Sequence, residues 1–323
     1  MLYPIKFRPI LKQKIWGGDK LKTLLNKPSE EDKIGESWEI STVGDDISVV
    51  SNGELAGRNL VELVEQYKGN LLGKKAYDKF GDQFPLLIKF IDANENLSVQ
   101  LHPDDELAQK RHNSFGKTEM WYVMQADKDA KLIVGFNKET NKQEYQKHLK
   151  EGRIEELLNF EKIEAGDSYF IEAGTIHAIG SGCLIAEIQQ TSDVTYRVYD
   201  WNRKDEKGIK RELHTELAMD ALNYNFNDDY RKEYEEKINL PSQIVSCNYF
   251  TTNILRVKGE IYRNYEGLDS FKVYMCIAGE GSLSIDNFIK TPVKKGETIL
   301  IPAKFNKVDI CGRNLELLEI YIK

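Results

Sequence analysis

The chain has 323 residues, which is long for one typical domain and predicts two structural units. Its 45 basic and 52 acidic residues give a net charge of −7 and are interspersed, so we expect no nucleic-acid-binding surface. The four cysteines contain no CxxC pair, which argues against a thiolate zinc site. Because neither a stretch of about 18 apolar residues nor an N-terminal signal region occurs, we expect no membrane association and a cytoplasmic protein with reduced thiols.

Short apolar runs bounded by turn residues occupy most of the chain and predict β-strands. A helix is predicted from Leu60, where apolar positions recur at helical spacing, and Gly69 could end it. "DANEN" at 92–96 separates two predicted strands, and the acids after Pro103 begin a short predicted helix. A predicted hairpin then turns at "ADKDA", residues 126–130.

Two helical segments interrupt this β-rich pattern. Residues 138–160 are charged and have helical periodicity, which predicts a helical insertion, and a second helix is predicted near 210–223. The last 80 or so residues return to short apolar runs separated by Gly and Asn turns.

One pattern occurs twice, as "EAGDSYFIEAGTIH" at 164–177 and "KKGETILIPAKF" at 294–305. This repeat predicts that the chain contains two copies of one β-barrel unit, so we expect a mainly β fold with two barrels in tandem. The first domain would span residues 1–235, including both helical segments, and the second residues 236–323. Only the first copy ends in a histidine, His177, so only the first barrel could hold a metal through this position.

Four polar side chains form a candidate metal site. Gln100 and His102 are two residues apart in a predicted strand, so both point to one face. Glu119 opens an apolar strand whose alternate positions, beginning with Trp121, should face inward, where a carboxylate is costly unless paired or metal-bound. With His177, these groups would offer a divalent ion nitrogen and oxygen ligands. The alternatives are that His102 is an ordinary core or surface histidine and that Glu119 faces water on an edge strand.

Basic residues accompany this candidate site. Lys89 interrupts the apolar run "PLLIKFI", so it either snorkels from an edge strand or faces a polar cavity. Lys117 precedes Glu119 by two residues and shares its face if the strand extends that far. Arg197 either clamps an oxyanion or phosphate or forms a structural ion pair with Asp193. The three remaining histidines are expected to face solvent: His112, His148 and His214.

These residues lie in motifs that resemble the type I mannose-6-phosphate isomerases in their short bacterial form. The motifs follow the family's order across residues 1–201, whereas the last 80 or so residues match only in general character. They are "IWGGDKL" (15–21), "IGESWEIS" (34–41), "PLLIKFIDANENLSVQLHPDD" (85–105), "GKTEMWYV" (116–123), "EAGTIHAIG" (172–180) and "QQTSDVTYRVYDW" (189–201).

The resemblance implies cupin-type (jelly-roll) barrels. The cupin pattern falls on Gly166, Gly174 and His177, with Glu172 where proline is usual. In the second copy the pattern reaches Pro302 and then loses its glycine and histidine, which implies a metal-free second barrel.

The resemblance also implies a set of site residues. One zinc ion per chain would be held by His102, Glu119, His177 and Gln100, with water able to replace the glutamine. Arg197 and Asp193 would be catalytic, and Lys89, Lys117 and Arg197 would bind the phosphorylated sugar.

The implied reaction interconverts mannose 6-phosphate and fructose 6-phosphate through a cis-enediol(ate), whose negative charge a divalent metal can stabilise. The general base is open between Asp193, Glu187 and a metal-bound water. Two other functions remain open. His102, Glu119 and His177 could form the facial triad of an Fe(II)-dependent oxygenase, or the chain could be a non-enzymatic sugar-phosphate sensor. The sequence does not indicate an oligomeric state.

Overall fold

The computed structural model describes residues 1–204, 207–285 and 289–323. Strands dominate it, which confirms the prediction of a mainly β chain. The strands are β1 (Ile10–Gly18), β2 (Ile34–Ile40), β3 (Thr42–Val43), β4 (Asp46–Ile47), β5 (Leu86–Ala93), β6 (Val99–Leu101), β7 (Glu119–Ala126), β8 (Lys131–Phe136), β9 (Leu158–Lys162), β10 (Ser168–Ile171), β11 (His177–Ile179), β12 (Cys183–Gln190), β13 (Tyr196–Tyr199), β14 (Pro241–Ser246), β15 (Thr251–Asn264), β16 (Lys272–Ile285), β17 (Ile289–Lys294), β18 (Thr298–Ile301) and β19 (Lys307–Tyr321).

The helices are short. They are α1 (Lys20–Thr23), α2 (Leu60–Tyr67), α3 (Gly69–Leu72), α4 (Lys74–Phe80), α5 (Asp105–His112), α6 (Lys142–Lys150) and α7 (Thr215–Ala221), with a 3-10 turn at Ile154–Leu157. In the segment 138–160, α6 and the 3-10 turn are followed by β9, and α7 lies within 210–223. Among the described residues, no helix has both the length and the apolar character needed to cross a membrane.

Two antiparallel sheets within residues 10–199 face each other. The first has the strand order β1-β2-β5-β12-β7-β10 and the second the order β13-β6-β11-β8-β9. The buried cluster between them draws on both sheets: Ile91, Trp121 and Ile185 from the first, and Leu132, Val134 and Ile179 from the second. Within the described residues no strand pairing joins the two sheets, so the unit is a jelly-roll-like sandwich with open edges.

The outer face of each sheet is also covered. Phe90 and Ile88 of β5 point away from the sandwich into a large cluster that includes Phe271 and Leu300 of the C-terminal region. On the second sheet, the outward residues of β6 and β13 pack with Tyr145 of α6. The central strands β5 and β6 and the strand β13 therefore contribute alternate residues to a core on one side and to the space between the sheets on the other.

The C-terminal region forms its own antiparallel sheet. Its order is β14-β15-β19-β16-β17, with β18 paired to β16. The N-terminus joins this region, because Ile5 forms a β-bridge with Leu300. The two β units thus share one hydrophobic cluster, and the domain boundary at 235/236 remains a prediction.

Candidate metal centre and active site

A cavity of about 400 Å³ lies between the two facing sheets. Among the described residues, six side chains that line the cavity are basic: Lys12, Lys14, Lys89, Lys117, Arg197 and Arg211. Four of the described lining residues are acidic: Glu36, Asp46, Glu187 and Asp193. An excess of positive charge in a concave, partly enclosed site favours an anionic ligand.

The second sheet brings three predicted site residues into one row. Gln100 of β6 is paired directly with His177 of β11 on one side and with Arg197 of β13 on the other. Directly opposed residues of antiparallel strands share a face, so all three side chains point towards the cavity, whose lining includes them. His102 follows β6 and lies on the face of Gln100, as the two-residue spacing predicted.

The first sheet supplies a second row on the opposite wall. Glu187 of β12 is paired with Lys89 of β5 and with Trp121 of β7, and Lys89 is paired with Trp38 of β2. Glu119 is the first residue of β7 and is buried. Lys89 is therefore in a central strand and faces the cavity, which decides between the two alternatives that its sequence left open.

His102, Glu119 and His177 come together as one buried cluster. The His102 Nε2 atom lies 3.6 Å from Glu119 Oε2, and the His177 Nε2 atom lies 3.5 Å from Glu119 Oε1. One possible ligand atom of each residue lies within 4.8 Å of the others. Lys117 Nζ lies 3.2 Å from Glu119 Oε2. The structure thus unites residues that are 75 positions apart in sequence, from His102 to His177.

The hydrogen bonds of the histidines fix which nitrogen faces the cluster. His102 Nδ1 lies 2.8 Å from the carbonyl oxygen of Val194, and His177 Nδ1 lies 2.9 Å from that of Thr175. A carbonyl can only accept, so each Nδ1 carries the proton and each Nε2 presents a lone pair to Glu119. Second hydrogen bonds of this kind orient histidines that bind metal ions.

The electrostatics of the cluster favour a bound cation. Burial lowers the pKa of His177 to about 4 and that of His102 well below its usual value, so both rings are neutral. Burial also raises the pKa of Glu119 to about 7. Within the described residues, His102 Nε2 and Glu119 Oε1 have no hydrogen-bond partner. Buried acceptor atoms without donors are costly, and a metal ion would satisfy them. These three residues can therefore hold a metal ion.

Gln100 borders the cluster. Its amide Nε2 lies 3.4 Å from His177 Nε2. Rotation of the amide by half a turn exchanges the nitrogen and the oxygen, which brings a neutral oxygen ligand to the same place.

Lys89 and Glu187 form a buried ion pair beside the cluster, with Lys89 Nζ 3.0 Å from Glu187 Oε1. Trp121 Nε1 donates to Glu187 Oε2 at 3.0 Å. Burial would raise the pKa of Glu187, but Lys89 and Lys117 outweigh it and lower that pKa. Burial likewise opposes the charge on Lys89, but Glu187 and Glu36 prevail and raise its pKa. Both groups are therefore charged.

Arg197 does not form an ion pair with Asp193, which was one of the two alternatives considered for it from the sequence. Its Nε donates to Ser98 Oγ at 3.3 Å, and its Nη1 donates to the carbonyl oxygen of Glu212 at 2.9 Å. Both Arg197 and Asp193 line the cavity, and the side chain of Asp193 is exposed.

Some cavity residues were not predicted from the sequence: Lys12, Lys14, Glu36, Trp38 and Arg211. The two lysines alternate along β1, and Glu36 and Trp38 alternate along β2, so period-two spacing was the available signal. Of the three histidines expected to face solvent, His112 is exposed and His148 is half-buried. His214 is also half-buried, and its Nδ1 accepts a hydrogen bond from the backbone N–H of Arg197 at 3.1 Å.

Comparison with known proteins agrees with this geometry. Residues 5–152 match the family model of the phosphomannose isomerase type I catalytic domain, and residues 242–322 match that of the mannose-6-phosphate isomerase cupin domain. Mannose-6-phosphate isomerase ManA of Bacillus subtilis is 37% identical over 93% of both chains. The mannose-6-phosphate isomerase of Streptococcus mutans is 34% identical over 94% of this chain and 93% of its own.

Solved structures show the same likeness. The mannose 6-phosphate isomerase of Bacillus subtilis superposes with a TM-score of 0.90 at 34% identity, covering 99% of this chain and 100% of its own. The apo form of the enzyme from Salmonella typhimurium gives a TM-score of 0.80 at 16% identity over 100% of both chains, which shows the fold alone. The cupin-type fold is thereby confirmed, and the chain belongs to the type I phosphomannose isomerase family.

Proposed function

We propose that this chain interconverts mannose 6-phosphate and fructose 6-phosphate by moving one proton between C2 and C1, and another between O2 and O1, of the open-chain sugar. The observation that carries the proposal is the buried group of His102, Glu119 and His177 at the wall of a cavity with excess positive charge. The proton at C2 is weakly acidic, so such a site must stabilise negative charge on the neighbouring oxygens.

We propose one zinc ion per chain as the metal. Two neutral imidazoles and one carboxylate are a ligand set found in catalytic zinc sites, and the amide of Gln100 is near enough to add an oxygen. When bound, a divalent ion supplies a Lewis acid that stabilises the oxygens of the enediolate. The protein's own contribution is to hold the ligands in place through the Val194 and Thr175 carbonyls.

Basic groups around the cavity would bind and orient the anionic substrate. Lys89 and Lys117 are buried beside the cluster, whereas Lys12, Lys14 and Arg211 line the remaining wall. Arg197 lies next to Gln100 in the sheet, so its guanidinium would stabilise the enediolate oxygens. The other cations would then attract the phosphate.

Proton transfer has two protein candidates. Glu187 is buried in the cavity wall and ionised, and Lys89 and Trp121 hold both of its oxygens. Asp193 also lines the cavity, but its side chain is exposed. We favour Glu187 as the base, because its carboxylate is ionised, fixed and shielded from water, whereas that of Asp193 is exposed.

The four unpaired cysteines support a cytoplasmic location.

Conversion of mannose 6-phosphate to fructose 6-phosphate by the purified chain, measured in a coupled assay, tests the proposal. We expect zinc-loaded protein to convert the sugar, chelator-treated protein to lose activity, and added Zn²⁺ to restore it. Activity should be the same without oxygen, because isomerisation uses none. Binding of the sugar without conversion by folded, zinc-loaded protein would contradict the proposal and indicate a sensor. Turnover that requires oxygen would indicate an oxygenase.

A further inference from the structure

The carboxylate of Asp105 connects four separate parts of the chain. Asp105 is the first residue of α5, and its Oδ1 accepts hydrogen bonds from the backbone N–H of Gly116 at 2.9 Å and from Gln190 Nε2 at 2.9 Å. Its Oδ2 accepts a hydrogen bond from the hydroxyl of Tyr249 at 2.8 Å. None of these contacts belongs to the helix itself, so the carboxylate is used entirely to join other elements.

The segment held by the hydrogen bonds of Asp105 leads directly to Glu119 of the candidate metal site. Residues 116–118 precede Glu119, and each of their three backbone N–H groups has a specific acceptor. Gly116 donates to Asp105, Lys117 donates to the carbonyl oxygen of Pro103 at 3.1 Å, and Thr118 donates to Gln190 Oε1 at 2.8 Å. The path of the backbone into β7 is therefore fixed residue by residue.

The fit around Gly116 shows how tightly this segment is held. A Cβ atom on Gly116 would lie 2.5 Å from the backbone C of Asp104 and 2.5 Å from the backbone N of Asp105. Only glycine allows this approach, which brings the segment within reach of the Asp105 carboxylate. Lys117 and Glu119 leave this backbone towards the cavity side, where their side chains are 3.2 Å apart.

Tyr249 brings the C-terminal β unit into the network. It lies between β14 and β15, and burial together with the hydrogen bond to Asp105 raises the pKa of its hydroxyl to about 12. The hydroxyl is thus a permanent donor near neutral pH. The Asp105 carboxylate accepts three hydrogen bonds. If one of them is removed, the carboxylate is held less rigidly and the other two hydrogen bonds become weaker.

We propose that Asp105 is a positioning residue, which fixes the backbone that carries Lys117 and Glu119, and that Tyr249 of the C-terminal unit holds Asp105 in place. The C-terminal unit would then contribute to the catalytic site through one hydroxyl group. The consequence for turnover rests on the proposed isomerase function and that for zinc affinity on the proposed metal, whereas the consequence for backbone protection rests on neither.

Three measurements on the full chain test this inference: hydrogen–deuterium exchange of the peptide spanning residues 114–122, zinc affinity by chelator competition, and the separate values of kcat and KM. For Asp105→Ala we expect faster exchange at residues 116–118, a loss of zinc affinity smaller than the ~10–100-fold that follows removal of a group bonded directly to a ligand, and a larger effect on kcat than on KM. Asp105→Asn keeps one oxygen for Gly116 and should recover much of each loss. Tyr249→Phe keeps the ring and should reproduce the losses in weaker form.

Two matched variants serve as controls. Asp104→Asn removes the neighbouring negative charge but keeps an oxygen for the N–H of Leu107, which caps α5, and should leave exchange at 116–118 and zinc affinity unchanged. Tyr262→Phe removes an exposed hydroxyl of the same β unit and should also leave both unchanged. Wild-type exchange and zinc affinity in Asp105→Ala would overturn the inference, as would equal losses in Asp104→Asn. If Asp105→Ala does not fold, Asp105→Asn and Tyr249→Phe decide the question. Absence of isomerase activity in the wild type would refute the proposed function but leave the exchange and zinc results valid.

Discussion

His102 and His177 are each oriented by a backbone carbonyl on the far side of the ring. The carbonyls of Val194 and Thr175 leave the Nε2 lone pairs directed at Glu119. Neither carbonyl lies in a strand, since Val194 precedes β13 and Thr175 precedes β11. The geometry of the cluster of His102, Glu119 and His177 therefore depends on loop segments as well as on strands. The spacing of these residues in the sequence does not by itself specify that geometry.

The different contacts of His177 and Arg197 predict different effects of removing them. His177→Ala deletes a cluster nitrogen, so we expect loss of bound zinc and of activity. Arg197→Ala deletes a side chain that contacts Ser98 and Glu212 but no cluster residue, so zinc should remain. We expect kcat to fall about 10²–10³-fold in the second variant, as for loss of a group that stabilises an oxyanion. Zinc content after dialysis and steady-state kinetics measure both effects, and equal zinc loss would refute this division of roles.

The burial of Glu187 and the exposure of Asp193 predict which carboxylate transfers the proton. In Glu187→Gln the amide oxygen can still accept the hydrogen bond from Trp121, but the basic carboxylate is gone. We therefore expect kcat to fall by about 10²–10⁴-fold while zinc stays bound. Asp193→Asn should produce a much smaller loss. Solvent deuterium incorporation at C2, followed by NMR, provides a readout that reports proton transfer itself. The opposite ranking of the two variants would assign the base to Asp193.

At the scale of elements, period-two spacing predicted which side chains share a face but not which strands are neighbours. Gln100 and His102, and likewise Trp121 and Val123, lie on the faces that their spacing predicted. The sequence could not decide whether Lys89 lies on an edge strand, because that depends on pairing between distant segments. β5 lies between β2 and β12, and all of its residues are buried. Lys89 is therefore not on an edge strand, so its side chain cannot extend past a sheet edge into solvent. Long-range pairing likewise brought Lys12 and Lys14 to the cavity, although both precede the motifs that indicated the site.

A buried ion pair joins the first sheet to the C-terminal unit and allows a prediction for stability. Lys27 Nζ lies 2.6 Å from Glu39 Oε1 of β2 and donates to the carbonyl oxygen of Gly296 at 2.6 Å. Ser37 Oγ also donates to Glu39 at 2.6 Å. Glu39→Gln leaves the ammonium group buried without its counter-charge, so we expect the free energy of unfolding to fall by about 3–5 kcal/mol.

Urea unfolding of the wild type and three variants measures this effect. Lys27→Met together with Glu39→Gln should recover much of the stability, because no unpaired charge is left inside. Glu36→Gln is the comparison variant on the same strand, since Glu36 lines the cavity rather than the contact with the C-terminal unit. If the double variant is less stable than Glu39→Gln alone, unpaired charge is not the cause of the loss.

At the scale of the whole molecule, one hydrophobic cluster spans both halves of the chain. Phe84, two residues before β5, packs against Phe271 with ring centroids 4.5 Å apart, and the same cluster includes Ile5 and Leu300. The first sheet is therefore covered on both faces, by the second sheet on one side and by the C-terminal unit on the other. The repeat in the sequence predicted two units, but it could not show that they share a core, because each unit has a complete strand pattern of its own.

This shared core predicts that the chain unfolds as a single unit. Removal of residues 236–323 would expose the outer face of the first sheet, so we expect the truncated chain 1–235 to aggregate and to lack a cooperative transition. The full chain should show one transition by calorimetry and by near-ultraviolet circular dichroism. Phe271→Ala is the graded control: it should stay folded but lose about 3–5 kcal/mol, because it opens a cavity at the shared core. A truncated chain 1–235 that unfolds cooperatively and binds zinc as tightly as the full chain would show that the units fold independently, with the C-terminal sheet as a dispensable cover.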